Sequence, residues 1–90
     1  MPFVYILRCA DSSYYVGKTN DLYTRLTEHQ SGVGADYTAV RRPVEMVYAE
    51  EHPSIRSAKD RETQSKRRSR SKKEALIAQE LKRLRQTQLK

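Results

Sequence analysis

Apolar and aromatic residues run from Phe3 to Cys9 with only Arg8 interrupting them, the pattern of a central strand covered on both faces. Ala10-Asp11-Ser12-Ser13 supplies short polar side chains that bond nearby backbone, which predicts a turn. Tyr14–Lys18 is again aromatic and β-branched, so it predicts a second strand and, with the first, a hairpin. Gly17-Lys18-Thr19 forms a corner leading into a helix with Asn20 as N-cap, Asp21 in its first turn and Gly32 just past its end. The inward stripe of that helix is Leu22, Arg25, Leu26 and His29. Ser31–Arg42, with Gly32 and Gly34, reads as a loop that Pro43 closes. Val44–Glu50 alternates as a third strand, with Val44, Met46 and Tyr48 on one face. A second helix runs from Pro53-Ser54 to about Arg67 and carries the stripe Ile55, Ala58, Glu62 and Ser65. A third opens at Ser71-Lys72-Lys73-Glu74, which matches the capping box S-x-x-E, and continues through Leu76, Ile77, Leu81 and Leu84 at helical spacing. The order ββαβαα predicts an α+β fold, a three-stranded and largely antiparallel sheet flanked by helices.

Size and charge narrow the field. Ninety residues suit one domain spanning 1–90, with 86–90 as a frayed tail, and leave no room for a second core. No stretch approaches the roughly 18 apolar residues of a membrane span, and the start Met1-Pro2-Phe3-Val4 carries no secretory signal. Cys9 is the only cysteine, which removes an internal disulfide framework and fits a reducing cytosol, so a cytoplasmic location is expected. One cysteine with His29 and His52 falls short of a four-ligand structural zinc site. No phosphate-cradling glycine motif is present, so no small-molecule cofactor is expected. The net charge is +7, and it is uneven. Residues 1–55 hold five Lys/Arg against seven Asp/Glu, whereas residues 56–90 hold thirteen against four. Six of the eight residues in Lys66–Lys73 are basic. Such a segment points to a polyanion, and in the cytosol to nucleic acid; nothing indicates a protein partner.

Three misfits in the pattern carry the chemistry. Arg25 and His29 lie four apart on a stripe that should face the sheet. Either they snorkel past its edge to water or they belong to a site. Glu62 falls on the inward side of the second helix, where a carboxylate needs a metal or a basic partner such as Arg25. Six of the ninety residues are tyrosine, and Tyr5 and Tyr15 fall within the paired strands. They either pack with their hydroxyls at the rim or act on protons, which needs a phenol pKa lowered by Lys18, Arg25 or a metal. They share a face only if the hairpin loop is odd in length, such as Asp11–Ser13, or bulged.

Phe3-Val4-Tyr5 followed by Tyr15-Val16-Gly17 resembles the paired signature of the GIY-YIG endonuclease superfamily. The likeness continues through Lys18-Thr19-Asn20-Asp21-Leu22, Arg25, His29 and Glu62. It is nearest to the small stand-alone bacterial subfamily related to the nuclease domain of the repair protein UvrC. Asp36-Tyr37-Thr38, Arg41-Arg42-Pro43-Val44 and Ser69–Ile77 also look typical of that subfamily. The resemblance implies a divalent-metal-dependent endonuclease acting on DNA, with a part in repair or recombination. It casts Tyr5 as general base or water-positioning group, Tyr15 as its partner on water or phosphate, and Arg25 as stabiliser of phosphate charge. His29 would assist proton transfer, and Glu62 would anchor one Mg²⁺ or Mn²⁺. An arginine fork suits phosphate oxygens, and a lone carboxylate with water suits Mg²⁺. Lys18, Arg41, Arg42, Lys66, Arg67, Arg68, Arg70, Lys72 and Lys73 are the expected nucleic-acid contacts. Phe3 stands where the superfamily has glycine, and the only asparagine, Asn20, lies upstream of Glu62 rather than downstream. The alternative is a nucleic-acid-binding module on the same fold with little or no hydrolysis. Catalysis requires Tyr5, Tyr15, Arg25 and Glu62 to converge.

Overall fold

β1 (Phe3–Arg8) is the middle strand of an antiparallel sheet, flanked by β2 (Tyr14–Thr19) and β3 (Glu45–Glu51) in the order β2-β1-β3. The computed structural model describes residues 1–88, with side chains as far as Glu80. The helices are α1 (Leu22–Ser31), a single turn α2 (Asp36–Ala39), α3 (Ile55–Arg67) and α4 (Arg70–Gln88). The expected three-stranded α+β architecture is therefore present, with α2 as an added turn inside the expected Ser31–Arg42 loop. Residues 89–90 of the expected tail, and the side chains of Leu81 and Leu84 from the last stripe, lie outside what is described. No helix among the described residues is long and apolar enough to cross a membrane.

A central strand buries both faces, which explains the near-continuous apolar run of β1. On one face Tyr5, Leu7 and Cys9 pack with Val44, Leu22 and Leu26 under α1. On the other, Val4 and Ile6 pack with Val16, Ala58 and Ile77 under α3 and α4. The hairpin pairs Arg8 with Tyr14 and leaves Cys9–Ser13 between the strands, an odd number of residues. The Ser12 amide donates to the Cys9 carbonyl at 2.9 Å, and Ser12 takes a left-handed φ of 68° at the tip, a conformation that a short polar residue tolerates. Tyr5 thus lies opposite Gly17 and Leu7 opposite Tyr15, so both tyrosines occupy the α1 face.

Local details depart from the pattern for physical reasons. Ile6 pairs with Tyr48 but Leu7 with Met46, so Val47 is a bulge. That extra residue turns Val44 and Met46 toward α1 and leaves Tyr48 with Val47 on the α3 side, whereas plain alternation placed Val44, Met46 and Tyr48 together. Asp21, not Asn20, caps α1: its carboxylate accepts from the Thr24 amide at 3.1 Å. Gly32 ends that helix at φ 86°, as expected of an αL cap. α4 begins one residue before Ser71 because Ser69 supplies the cap, accepting from the Lys72 amide at 3.3 Å. Ile55, expected inward, opens α3 at its exposed end, while Ala58 is fully buried.

Ile6 has no exposed surface, so Ile6→Ala should destabilise the fold by about 2–5 kcal/mol. Urea unfolding should show a lower midpoint with an unchanged m-value.

Candidate functional site

The α1 face of the hairpin gathers four of the expected site residues. Tyr5 and His29 are both fully buried, and the Tyr5 hydroxyl lies 2.8 Å from His29 Nε2. Tyr15 sits beside them, its ring 5.2 Å from the imidazole and 6.5 Å from the Tyr5 ring. Arg25 comes from the preceding turn of α1. Its Nη2 donates to the Gly34 carbonyl at 2.8 Å and Nη1 pairs with Glu28 at 3.3 Å, with the guanidinium also beside the Tyr5 hydroxyl. The arginine and histidine are therefore drawn inward, not past the stripe to water.

Two glycines make this closeness possible. A Cβ on Gly17 would stand 2.4 Å from the Tyr5 hydroxyl, and one on Gly34 would stand 2.6 Å from His29 Nδ1. Sequence reasoning missed the residue behind the imidazole, Thr38 of α2. Its hydroxyl lies 2.8 Å from Nδ1 and donates to the Ala35 carbonyl at 3.2 Å. Thr38 is fully buried; the only sequence signal was its place beside Asp36-Tyr37 in a subfamily-like stretch.

Burial pushes the Tyr5 phenol above its usual pKa; Arg25 opposes the shift, while Tyr15 and Glu62 add to it. Arg25 acts in the lowering direction that proton chemistry would need, but desolvation of a fully covered phenolate outweighs one adjacent guanidinium. Burial, helped by Arg25, holds His29 below its ordinary value. The resting pair is accordingly neutral phenol and neutral imidazole.

Glu62 comes from α3, on the other face of the sheet, at the open edge formed by β2, so of the four residues expected to converge only Tyr5, Tyr15 and Arg25 share a face. Its carboxylate pairs with Lys18 at 3.5 Å and Lys66 at 3.7 Å, not with Arg25. Its charge is felt at the Tyr5 hydroxyl. No cluster of three or more His, Cys, Asp or Glu forms a metal cage among the described residues. Glu62 nevertheless fits a Mg²⁺-type ion, which takes one or two carboxylates and completes its shell with water and substrate phosphate.

The basic residues divide by what holds them. Arg41 lies 3.8 Å over the Tyr37 ring and pairs with Asp11 at 3.1 Å. Arg42 donates to the carbonyls of Ala39 and Gln30, closing the C-terminal end of α1. Arg70 donates to the Ser12 carbonyl and covers Tyr14, tying α4 to the hairpin tip. These three are engaged by the protein. Lys66 and Lys73 instead line a cleft of about 270 Å³ with Tyr14, Tyr15, Val16 and Tyr37. Arg67, Arg68 and Lys72 line a second hollow with Gln64 and Ser69 at the α3–α4 elbow. Tyr37 stacks on Tyr15 with centroids 6.1 Å apart while Arg41 covers it. The aromatic group thereby forms a wall beside the site.

Comparison with known proteins agrees with this geometry. The family model described as the GIY-YIG catalytic domain matches residues 1–75. The chain is 47% identical over 75 residues to the UPF0213 protein YazA of Bacillus subtilis, covering 83% of this chain and 76% of that one. It is 46% identical over 78 residues to a UPF0213 protein of Natronomonas pharaonis, covering 87% and 92%. The solution NMR structure of a UPF0213 protein from Bacillus halodurans superposes with a TM-score of 0.56 at 43% identity, over 87% of this chain and 84% of that one.

Two measurements test this packing. Gly17→Ala forces the Tyr5 phenol to move and should lower stability by about 1–3 kcal/mol, read by urea unfolding. The second concerns pH. Because folded His29 is harder to protonate than a free imidazole of pKa 6.5, the unfolded chain takes up the proton first on acidification. Stability should therefore fall as the pH drops through about 6.5, and His29→Gln should remove that part of the slope. Hydrogen bonds from Tyr48, Arg61 and His52 outweigh burial and hold Glu50 below the usual carboxylate range, so its own contribution is lost only at lower pH.

Proposed function

Since the chain belongs to the GIY-YIG catalytic-domain family, we propose that it is a divalent-metal-dependent endonuclease hydrolysing phosphodiester bonds of DNA, with a role in repair or recombination. The observation that carries this reading is the meeting of Tyr5, Tyr15, Arg25 and His29 on the α1 face, with Glu62 at the β2 edge. A nuclease family implies a nucleic-acid substrate, and domains of this family generally use a divalent metal. Mg²⁺ or Mn²⁺ on Glu62 would supply Lewis-acid polarisation of the phosphate.

The chain's own residues supply the rest. Arg25 presents a fork of N–H donors for phosphate oxygens, leaving Gly34 to do so. That movement uncovers the Tyr5 hydroxyl, which the resting structure closes off. Tyr5 orients the attacking water, and His29 Nε2 is the acceptor for the proton that passes through the phenol. Tyr15, at the rim of the lysine-lined cleft, orients the phosphate or the water. Lys18, Lys66 and Lys73 hold adjoining phosphates, and Arg67, Arg68 and Lys72 extend the contact to the elbow. Such contacts position a backbone without reading sequence.

A second reading, a binding module with little or no hydrolysis, is favoured by one observation: Lys18 and Lys66 already neutralise Glu62. Supercoiled-plasmid nicking in Mn²⁺ or Mg²⁺ separates the two. Tyr5→Phe and Glu62→Ala should each reduce the rate by about 10²–10⁴-fold while DNA binding persists. Equal nicking by wild type and Glu62→Ala would mean contamination and sink the nuclease reading. Replacing Lys66 and Lys73 by alanine should weaken binding to all sequences alike and flatten the logarithmic salt dependence by about one unit per lysine.

A further inference from the structure

The hydrogen bonds around His29 contain a direction. Four polar atoms of the set lie in three fully buried side chains: the Tyr5 hydroxyl, the two His29 ring nitrogens and the Thr38 hydroxyl. Solvent therefore cannot settle which of them donates, and the pattern has to close within the protein. The Ala35 carbonyl, which also accepts from the Ala39 amide, lies 3.2 Å from the Thr38 hydroxyl and offers its proton an acceptor. A hydroxyl has one proton, and with it committed, Thr38 Oγ1 accepts from His29 Nδ1 at 2.8 Å. A neutral imidazole carrying its proton on Nδ1 leaves Nε2 bare. Nε2 is the atom 2.8 Å from the Tyr5 hydroxyl, which donates to it.

The opposite tautomer does not close. With the proton on Nε2, the ring would donate to the phenol oxygen, and the phenol's own proton would need another acceptor. Among the described residues, His29 Nε2 is the hydrogen-bond acceptor that the Tyr5 hydroxyl reaches. Arg25, beside it, has donors alone. A buried O–H would be left unpaired, which is costly.

We propose that Thr38 is a positioning residue: by accepting the Nδ1 proton it fixes the His29 tautomer that offers Nε2 to Tyr5. Thr38 touches neither substrate nor Tyr5. It acts through the imidazole, as an outer partner sets which ring nitrogen of a histidine is available for chemistry. Two neighbouring features serve the same end. Gly34 leaves room against Nδ1, where a Cβ would stand 2.6 Å away. α2 carries Thr38 on the same turn whose first carbonyl, from Ala35, takes the hydroxyl proton. The kinetic consequence rests on the phosphodiesterase reading above; the tautomer does not.

The test is long-range ¹H–¹⁵N NMR of the uniformly labelled full chain at neutral pH. His52 is the only other histidine, so a His52→Gln variant assigns the His29 signals. Wild type and Thr38→Ser should show the proton on Nδ1, and Thr38→Val, which strips Nδ1–H of its acceptor, should raise the share on Nε2 at the expense of the Tyr5 hydrogen bond. In Mn²⁺-dependent plasmid nicking, Thr38→Val should lose about 10–100-fold, the usual effect of removing an outer partner of a functional histidine, and Thr38→Ser should recover most of it. A wild-type proton on Nε2 overturns the proposal, as does a folded Thr38→Val that keeps Nδ1–H. If the valine variant fails to fold, as its amide spectrum would show, wild type and Thr38→Ser decide. Absent nicking by wild type defeats the nuclease reading alone, because the tautomer is still read directly.

Discussion

A phenol hydroxyl shut away from water must find its partner inside the protein, and in this chain the Tyr5 hydroxyl finds His29. Much of the α1 face can be understood from that single contact. The middle strand presents Tyr5 toward α1, and the partner strand has glycine opposite it because any side chain there would strike the phenol. α1 has to lie close enough to deliver His29, so Leu22 and Leu26 pack on the same cluster as Tyr5. The loop after α1 must then come near the far side of the imidazole, which brings Gly34 and Thr38 into place. A polar pair in an otherwise apolar layer is expensive unless every lone pair and proton is matched. No buried side-chain nitrogen or oxygen among the described residues lacks a partner.

The two faces of the sheet divide the work. The α1 face holds the polar site, whereas the α3/α4 face holds an apolar layer of Val4, Ile6, Val16 and Ala58. The positive charge concentrated in residues 56–90 is carried by α3, α4 and their junction, beyond that apolar layer. Among the described residues it meets the site along the edge of β2, where Lys66 from α3 joins Lys18 of the strand at Glu62 and Lys66 and Lys73 line the cleft beside Tyr15. β2 is an edge strand, so groups from both sides of the sheet can approach one another around it. The candidate site is drawn from both faces in this way: the hairpin and α1 give the tyrosines, arginine and histidine, and α3 gives the carboxylate.

The sequence carried the broad layout because hydrophobic period and turn chemistry are local signals. Arg25 and His29 were visible as misfits on an apolar stripe, and the structure draws both inward. The shared face of Tyr5 and Tyr15 hung on the parity of the hairpin loop, which composition alone left open. What escaped were effects of one residue's displacement or of distant pairing. The Val47 bulge reverses which side of β3 faces α1, and a single inserted residue has no composition signature. Asn20 and Asp21 are both good caps, and only geometry chose Asp21. Arg41, Arg42 and Arg70 look like free cations along the chain but are held by Asp11, by helix carbonyls and by the hairpin tip. Thr38 is one of several polar residues in a loop, and nothing local separates it from Thr24 or Thr27 until the fold brings it to His29.

The electrostatics of the resting pair bear on how a reaction could start. Tyr5 is shifted upward and His29 downward, so the proton stays on the phenol while both groups are neutral. Transfer would create phenolate and imidazolium in a buried layer, and desolvation opposes each. Glu62 adds to the penalty at Tyr5, because its negative charge disfavours a second anion nearby. Arg25 is the one group that lowers it, yet Arg25 is also the residue that a phosphate would draw away. In the proposed reaction, therefore, neutralising Glu62 matters in two ways: it provides a place for positive charge, and it removes a repulsion from the phenol. In that proposal the empty site would be quiet, and a stronger counter-charge on Glu62 than two half-exposed lysines provide would be what makes it reactive.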